Sequence, residues 1–133
     1  METTLSEFSI YTLLHAGKLD EAFKTGGSGT FQENSRWATG ERLFREAQRS
    51  GRRMPILFSD AATTGGLIYY ALLTDIEAGE VGSEKTIYSF EGLTKLDATP
   101  PKSALVKRSD GRPLSDTDIY PYRVVFTPSF LTG

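Results

Sequence analysis

Residues 67–76, Leu-Ile-Tyr-Tyr-Ala-Leu-Leu-Thr-Asp-Ile, are apolar on both of their alternating faces. Ile68, Tyr70 and Leu72 lie on one side, Tyr69, Ala71 and Leu73 on the other. Such a segment must be covered above and below, which predicts a central strand in a sheet with a layer on each face. Other strand signals surround it. Phe8–Leu14 is rich in aromatic and β-branched residues, and Met54–Ser59 is a short apolar run with Pro55 tolerable at its start or on an edge. Thr86–Phe90, continuing or turning through Leu96, and Tyr122–Thr127, with Tyr122, Val124 and Phe126 on one face, complete the set.

Helical periodicity is confined to the first half of the chain. Arg42–Gln48 predicts the clearest helix, with Thr39 as N-cap, Leu43, Phe44 and Ala47 on one face and Ser50-Gly51 as the stop. A shorter helix is expected over Leu19–Lys24, where Leu19, Ala22 and Phe23 share a side. Between the two, Gly26, Gly27 and Gly29 predict a flexible loop, a mobile lid or linker over a pocket. Thr99-Pro100-Pro101 breaks the chain, and Leu105-Val106 with Ile119 read as a weakly structured excursion. For 133 residues with no repeat and no linker, these elements imply one domain spanning residues 1–133. The fold class is α+β: a small, mostly antiparallel, partly open β-barrel of about five strands with one or two flanking helices.

Composition removes several function classes. The chain has no cysteine and a single histidine, so thiolate chemistry, disulfides and ordinary zinc sites are excluded. An all-oxygen site at Asp116-Thr117-Asp118 lacks the glycine and distal glutamate of a calcium loop. Gly26-Gly27-Ser28-Gly29 lacks the Gly-Lys-Ser/Thr ending of a phosphate-binding loop. His15 has no neighbour in sequence that would orient it as a general base, although a hydrolase or nuclease pairing it with a carboxylate is a third reading. No catalytic residue, metal or cofactor is assigned, and a non-catalytic module is expected. No stretch approaches the roughly 18 apolar residues of a membrane span. The opening Met1-Glu2-Thr3-Thr4 lacks signal-peptide regions, so a cytoplasmic protein is expected.

Charge is the most asymmetric feature. The net charge is −2, yet residues 36–53 carry Arg36, Arg42, Arg45, Arg49, Arg52 and Arg53 against Glu41 and Glu46 alone. Residues 102–112 add Lys102, Lys107, Arg108 and Arg112 against Asp110, which leaves the remainder acidic. Helix pairs Glu41–Arg45 (i,i+4) and Glu46–Arg49 (i,i+3) account for part of the arginine stripe. The excess points to phosphate, which the planar guanidinium fork suits. Arg42, Arg45, Arg49 and Arg53 are therefore the candidate phosphate-binding residues. Phe31, Asn34, Arg36 and Trp37, just before the helix, combine aromatic, amide and guanidinium groups able to stack a base and bond its edge. Trp37 is equally a natural core residue. The competing reading is a structural or protein-interaction module whose arginine helix docks an acidic partner.

The order of these features resembles the PUA-like superfamily, and its EVE branch in particular. The resemblance rests on a first strand such as Phe8–Leu14, the Asn34–Trp37 segment, the helix Arg42–Gln48 and the strand Ile56-Leu57-Phe58-Ser59. The long strand Leu67–Ile76 and the tail Ser103–Ser109 with Arg112-Pro113-Leu114 continue it. Gly51-Arg52-Arg53-Met54-Pro55 stands where that branch usually has Gly-Asp before its strand. The resemblance implies a small β-barrel that binds nucleic acid, often through a modified base in an aromatic-lined pocket, with Asn34, Trp37 and Ser59 at the matching positions. The related ASCH pattern Gly-x-Lys-x-x-Glu-x-Arg is missing.

Overall fold

A computed structural model describes residues 4–62, 65–80, 82, 84–97, 99–115 and 122–131. The Asp116-Thr117-Asp118 candidate and Ile119 lie outside the described residues. The element order is β1 (Phe8–Leu14), α1 (Ala16–Lys24), β2 (Gly29–Glu33), α2 (Ala38–Arg49), β3 (Pro55–Asp60), β4 (Leu67–Ala78), β5 (Thr86–Lys95) and β6 (Tyr122–Phe126). The strands form one sheet in the order β2-β5-β4-β3-β1-β6. Only the β1–β3 pairing is parallel among the described strands; the others are antiparallel. This is the expected α+β, mostly antiparallel architecture, with six strands rather than about five. The added strand is β2, whose polar alternation had concealed it.

The sheet curls. β5 and β6 stand four strand spacings apart, about 19 Å in a flat sheet, yet Trp37 stacks on both Tyr88 and Tyr122, so those rings lie no more than about 10 Å apart. No pairing joins β2 to β6 among the described residues, so the barrel is partly open.

Both faces are buried, as the double-faced pattern of β4 requires. On the inner face Ile10, Ile56, Phe58, Tyr69, Ala71, Leu73, Tyr88 and Phe90 pack with Leu19 of α1 and Leu43 and Phe44 of α2. On the outer face Tyr11, Leu57, Leu67 and Val125 are covered by Leu105 and Leu114. The excursion after β5 is therefore a cover rather than a loose connection. Leu105 is fully buried; the bridge Val106–Pro113 closes the segment on itself and Lys107–Val125 attaches it to β6.

The helix ends correct two expectations. α2 begins four residues earlier than Arg42, and its N-cap is Trp37 rather than Thr39, because the Trp37 carbonyl accepts the first helical bond from the Glu41 N–H (2.9 Å). Its C-terminus follows the expected stop: Gly51 has φ +71° and the Arg52 N–H returns to the Ala47 carbonyl, a Schellman closure. The glycine segment is not a flexible lid. Gly26 and Gly27 close α1 in the same way, with the Gly27 N–H on the Ala22 carbonyl (2.8 Å), and Gly29 is already the first residue of β2. α1 is held at its start by Asp60, whose carboxylate accepts the Ala16 N–H (3.2 Å), and across its face by Tyr69, which donates to Asp20 (2.6 Å).

Gly29 is required by packing. A Cβ there would stand 2.9 Å from both the Phe31 and the Phe90 ring carbons. Gly29→Ala is expected to lower stability by about 1–3 kcal/mol through overpacking. Gly17→Ala in α1, where a Cβ meets nothing within 4 Å, should raise it by about 0.5–1 kcal/mol through helix propensity. Urea denaturation midpoints of the two variants check this opposite pair.

Candidate functional site

Along β2 the side chains alternate, with Thr30 and Gln32 exposed and Phe31 and Glu33 half-buried. Pairing places Phe31 opposite Tyr88 and Glu33 opposite Thr86 on β5. Phe31 therefore joins an inner-face aromatic cluster, 5.9 Å from Phe90 and 6.1 Å from Tyr88 between ring centroids. Trp37 lies deeper, with no exposed surface, between Tyr88 (5.0 Å) and Tyr122 (4.7 Å). Both indole faces are covered by protein rings.

One buried threonine fixes the connecting segment. Thr86 accepts the Trp37 backbone N–H (2.8 Å) and donates its own hydroxyl to the Ser35 carbonyl (2.7 Å). The Trp37 indole N–H donates to the Ser35 hydroxyl (3.0 Å). Asn34 and Arg36 are left exposed on the rim, beside the half-buried Phe31 and Glu33. Thr86, Glu33, Tyr88 and Tyr122 are members of this region that the sequence did not single out. A threonine at a buried inward position of a strand was the one available signal.

Two polar groups in the cluster are electrostatically uncomfortable. The Tyr88 hydroxyl is fully buried without a hydrogen-bond partner, a situation that costs about 1–3 kcal/mol. Burial, and then the nearby Glu33 carboxylate, push its pKa up. The Glu33 carboxyl is itself held above its ordinary range by burial, opposed by the Lys18 ammonium.

The arginines divide into two groups. Arg45 donates to the Ile76 carbonyl (3.0 Å), pairs with Asp75 (3.0 Å) and lies 5.4 Å over the Phe44 ring. Arg36 donates to the Gly79 carbonyl (2.8 Å), and Arg53 pairs with Glu91 (2.6 Å). Arg42 pairs with Glu46 (3.4 Å) with both side chains about half exposed, and Arg49 and Arg52 are exposed without a side-chain partner among the described residues. The expected helix pairs Glu41–Arg45 and Glu46–Arg49 do not form. Glu41 instead accepts the Ala78 N–H (2.9 Å) and Glu46 is taken by Arg42, because α2 lies against the end of β4, where backbone groups compete for Glu41 and Arg45.

Ser59 is separated from the others. It is buried on the outer face, where Tyr11 donates to it (3.0 Å), while Trp37 and Phe31 occupy the inner face. His15 is exposed at the start of α1. A groove of about 850 Å³ also lies on the outer side, lined among others by Tyr70, Leu72, Phe126, Leu131 and Glu7. No described helix is long and apolar enough to cross a membrane.

No family model and no curated protein matches the chain. Among solved structures it is similar to the YTH domain of the Zygosaccharomyces rouxii MRB1 protein, solved in complex with N6-methyladenosine RNA. The identity is 14%, the match covers 98% of this chain and 86% of that one, and the TM-score is 0.48. The superposition is too loose for residues to be carried across.

Glu33 sets a pH dependence with a definite sign. Its pKa is raised above 4.5 in the folded chain, so the folded state binds this proton more tightly than the unfolded state. Stability from this group is therefore greatest at low pH and is lost as pH rises from 4.5 through the raised value. Glu33→Gln removes the penalty. Its stability relative to the unsubstituted protein should rise across that window and level off above the raised value, as read from urea midpoints at several pH values.

Proposed function

We propose that this domain is a non-catalytic reader of single-stranded nucleic acid. A base, modified or not, is held at the rim formed by Phe31, Asn34 and Arg36, and the exposed guanidinium groups of α2 hold phosphates. The observation that supports this best is continuity. The half-buried Phe31 opens the aromatic cluster to solvent, the Asn34–Arg36 rim follows it, and Trp37 is itself the N-cap of the arginine-bearing helix. From Trp37 to Arg49 the helix spans about 18 Å, a length that several phosphates of a single strand can follow. The element order that resembles the PUA-like superfamily and its EVE branch fits the same reading.

Within this reading the residues have unequal roles. Trp37 is a buttress that fixes Tyr88 and the rim, since neither indole face is open. Arg49 and Arg52, without a side-chain partner among the described residues, and Arg42, whose 3.4 Å pair with Glu46 is the longest and most exposed of these ion pairs, are the phosphate contacts. Arg45 and Arg53 reach phosphate only by releasing Asp75 and Glu91, so they contribute less. Ser59, on the far face of the sheet, takes no part.

Fluorescence-polarisation titrations with single-stranded RNA and DNA, carrying unmodified and modified bases, test the proposal at several salt concentrations. Affinity should fall with salt, and the Arg42→Ala/Arg49→Ala double variant should reduce the logarithmic slope by about 1.4, roughly 0.7 for each phosphate contact. No binding at about 50 mM salt overturns the reading and leaves the acidic-partner alternative for the arginine helix.

A further inference from the structure

The basic segment 102–112 belongs neither to the rim nor to the arginine helix, and strand parity divides its charges between the two faces of the sheet. The Arg108 N–H bonds the Val124 carbonyl (3.0 Å), and Lys107 stands opposite Val125. Val125 belongs to the outer-face core, and Val124 packs against the inner one. Lys107 therefore turns outward and Arg108 turns to the side that carries α2. Arg112 turns outward with Lys107. The Val106–Pro113 bridge sets 107 opposite 112, and each is two positions from an outer-face leucine, Leu105 or Leu114.

The two charges also have different partners. Lys107 pairs with Asp110 (3.2 Å). Arg108 lies 5.1 Å over the Phe8 ring, and its exposed guanidinium makes no hydrogen bond or ion pair among the described residues. Half-buried Phe8 lines a hollow of about 220 Å³ together with Leu43, Ala47 and Ser50 along α2 and with Arg52. Glu7 and Glu46 also border it; Arg42 takes Glu46, and Glu7 has no ion pair among the described residues. Phe126 packs on Phe8 at 5.1 Å between ring centroids and keeps 38% of its surface exposed.

We infer that Arg108 and Phe126 form a second nucleotide contact beyond the C-terminal end of α2, Arg108 taking a phosphate and Phe126 stacking the neighbouring base. This rests on the proposal that α2 carries a single strand, and it adds where that strand goes on leaving the helix. The path runs from Arg49 and Arg52 across the hollow to the β6 edge. Phe8 holds the Arg108 guanidinium in place through its ring face, which leaves the N–H donors free for the bidentate contact that phosphate accepts. An exposed ring next to an unpaired guanidinium is the combination that single strands use, because every base has a face to stack.

Salt-dependent fluorescence-polarisation titrations with a single strand of about twelve nucleotides, within the usual range of site sizes, test the second contact. Arg108→Ala should reduce the logarithmic slope by about 0.7, the share of one phosphate. Arg112→Ala removes the same charge from the same segment on the opposite face and should leave the slope unchanged. Phe126→Leu, which keeps an apolar side chain but no ring, should weaken binding about fivefold or more, the loss of one stacked base. Thermal unfolding verifies that the three variants are folded. An unchanged slope in Arg108→Ala overturns the inference, and so does an equal loss in Arg112→Ala, which would mark attraction by net charge only. Unchanged affinity in Phe126→Leu removes the stacked base and overturns it as well. If Arg42→Ala/Arg49→Ala lowers the slope while Arg108→Ala does not, the second contact fails and the nucleic-acid reading stands. If no strand binds at about 50 mM salt, both fail.

Discussion

Trp37 wedged between Tyr88 and Tyr122 is the contact on which the curvature of this fold depends. The two tyrosines belong to strands separated by β4, β3 and β1, and the indole is the common surface that draws them together. Burying an aromatic side chain removes about 150–250 Å² from water, worth several kcal/mol at about 25 cal/mol per Å². That gain is available only if the sheet bends. Gly40 helps, since a Cβ there would meet Ile10 at 3.1 Å and Tyr122 at 3.3 Å, so its absence lets the first turn of α2 settle beside the stack. Barrel curvature, helix start and rim geometry are thus consequences of one buried ring.

A second constraint comes from the sheet itself. β3 pairs with β4 only as far as Leu72, so from Asp75 onward β4 has β5 as its sole strand neighbour. Unpaired backbone groups along such an edge are costly when covered by another layer. Here Arg45 takes the Ile76 carbonyl, Glu41 takes the Ala78 N–H and Arg36 takes the Gly79 carbonyl. Side chains that a helical wheel assigns to an exposed salt-bridge ladder instead complete a sheet edge. The arginine excess is therefore partly architectural, and among the arginines of α2 only those turned away from β4 keep their guanidinium groups clear of the sheet.

This explains what the sequence made legible. The double-faced apolar pattern of Leu67–Ile76 specified a central strand, and β4 does lie between β5 and β3. Phe8–Leu14 and the Ser50-Gly51 stop were equally local, carried by periodicity and by a glycine at positive φ. β2 was hidden because Thr30 and Gln32 face solvent on an edge strand and its inward partners are a half-buried phenylalanine and a glutamate. The covering role of Leu105 and Leu114 was hidden because isolated leucines in a polar, proline-bearing stretch show no period. Ser59 was placed beside Trp37 by analogy of element order. Strand parity decides otherwise: Phe58 points inward, so Ser59 points outward.

The same parity explains why the candidate site sits where it does. Inward positions of β5 supply Thr86, Tyr88 and Phe90 in succession, so the strand delivers a polar anchor, a buried hydroxyl and an aromatic floor along one line. Thr86 is satisfied by the rim backbone, and Phe90 needs no partner. Tyr88 has a hydroxyl where its neighbours have apolar ends, and phenylalanine would fill nearly the same volume without the desolvation cost. Opposite Thr86, one inward step beyond the Phe31–Tyr88 pair, β2 presents Glu33 where an apolar side chain would extend the cluster begun by Phe31. Both departures from an apolar core fall at one end of one strand pair, next to the exposed rim. Of the two, the Tyr88 hydroxyl alone is buried without a partner, while the half-buried Glu33 carboxylate still reaches the rim.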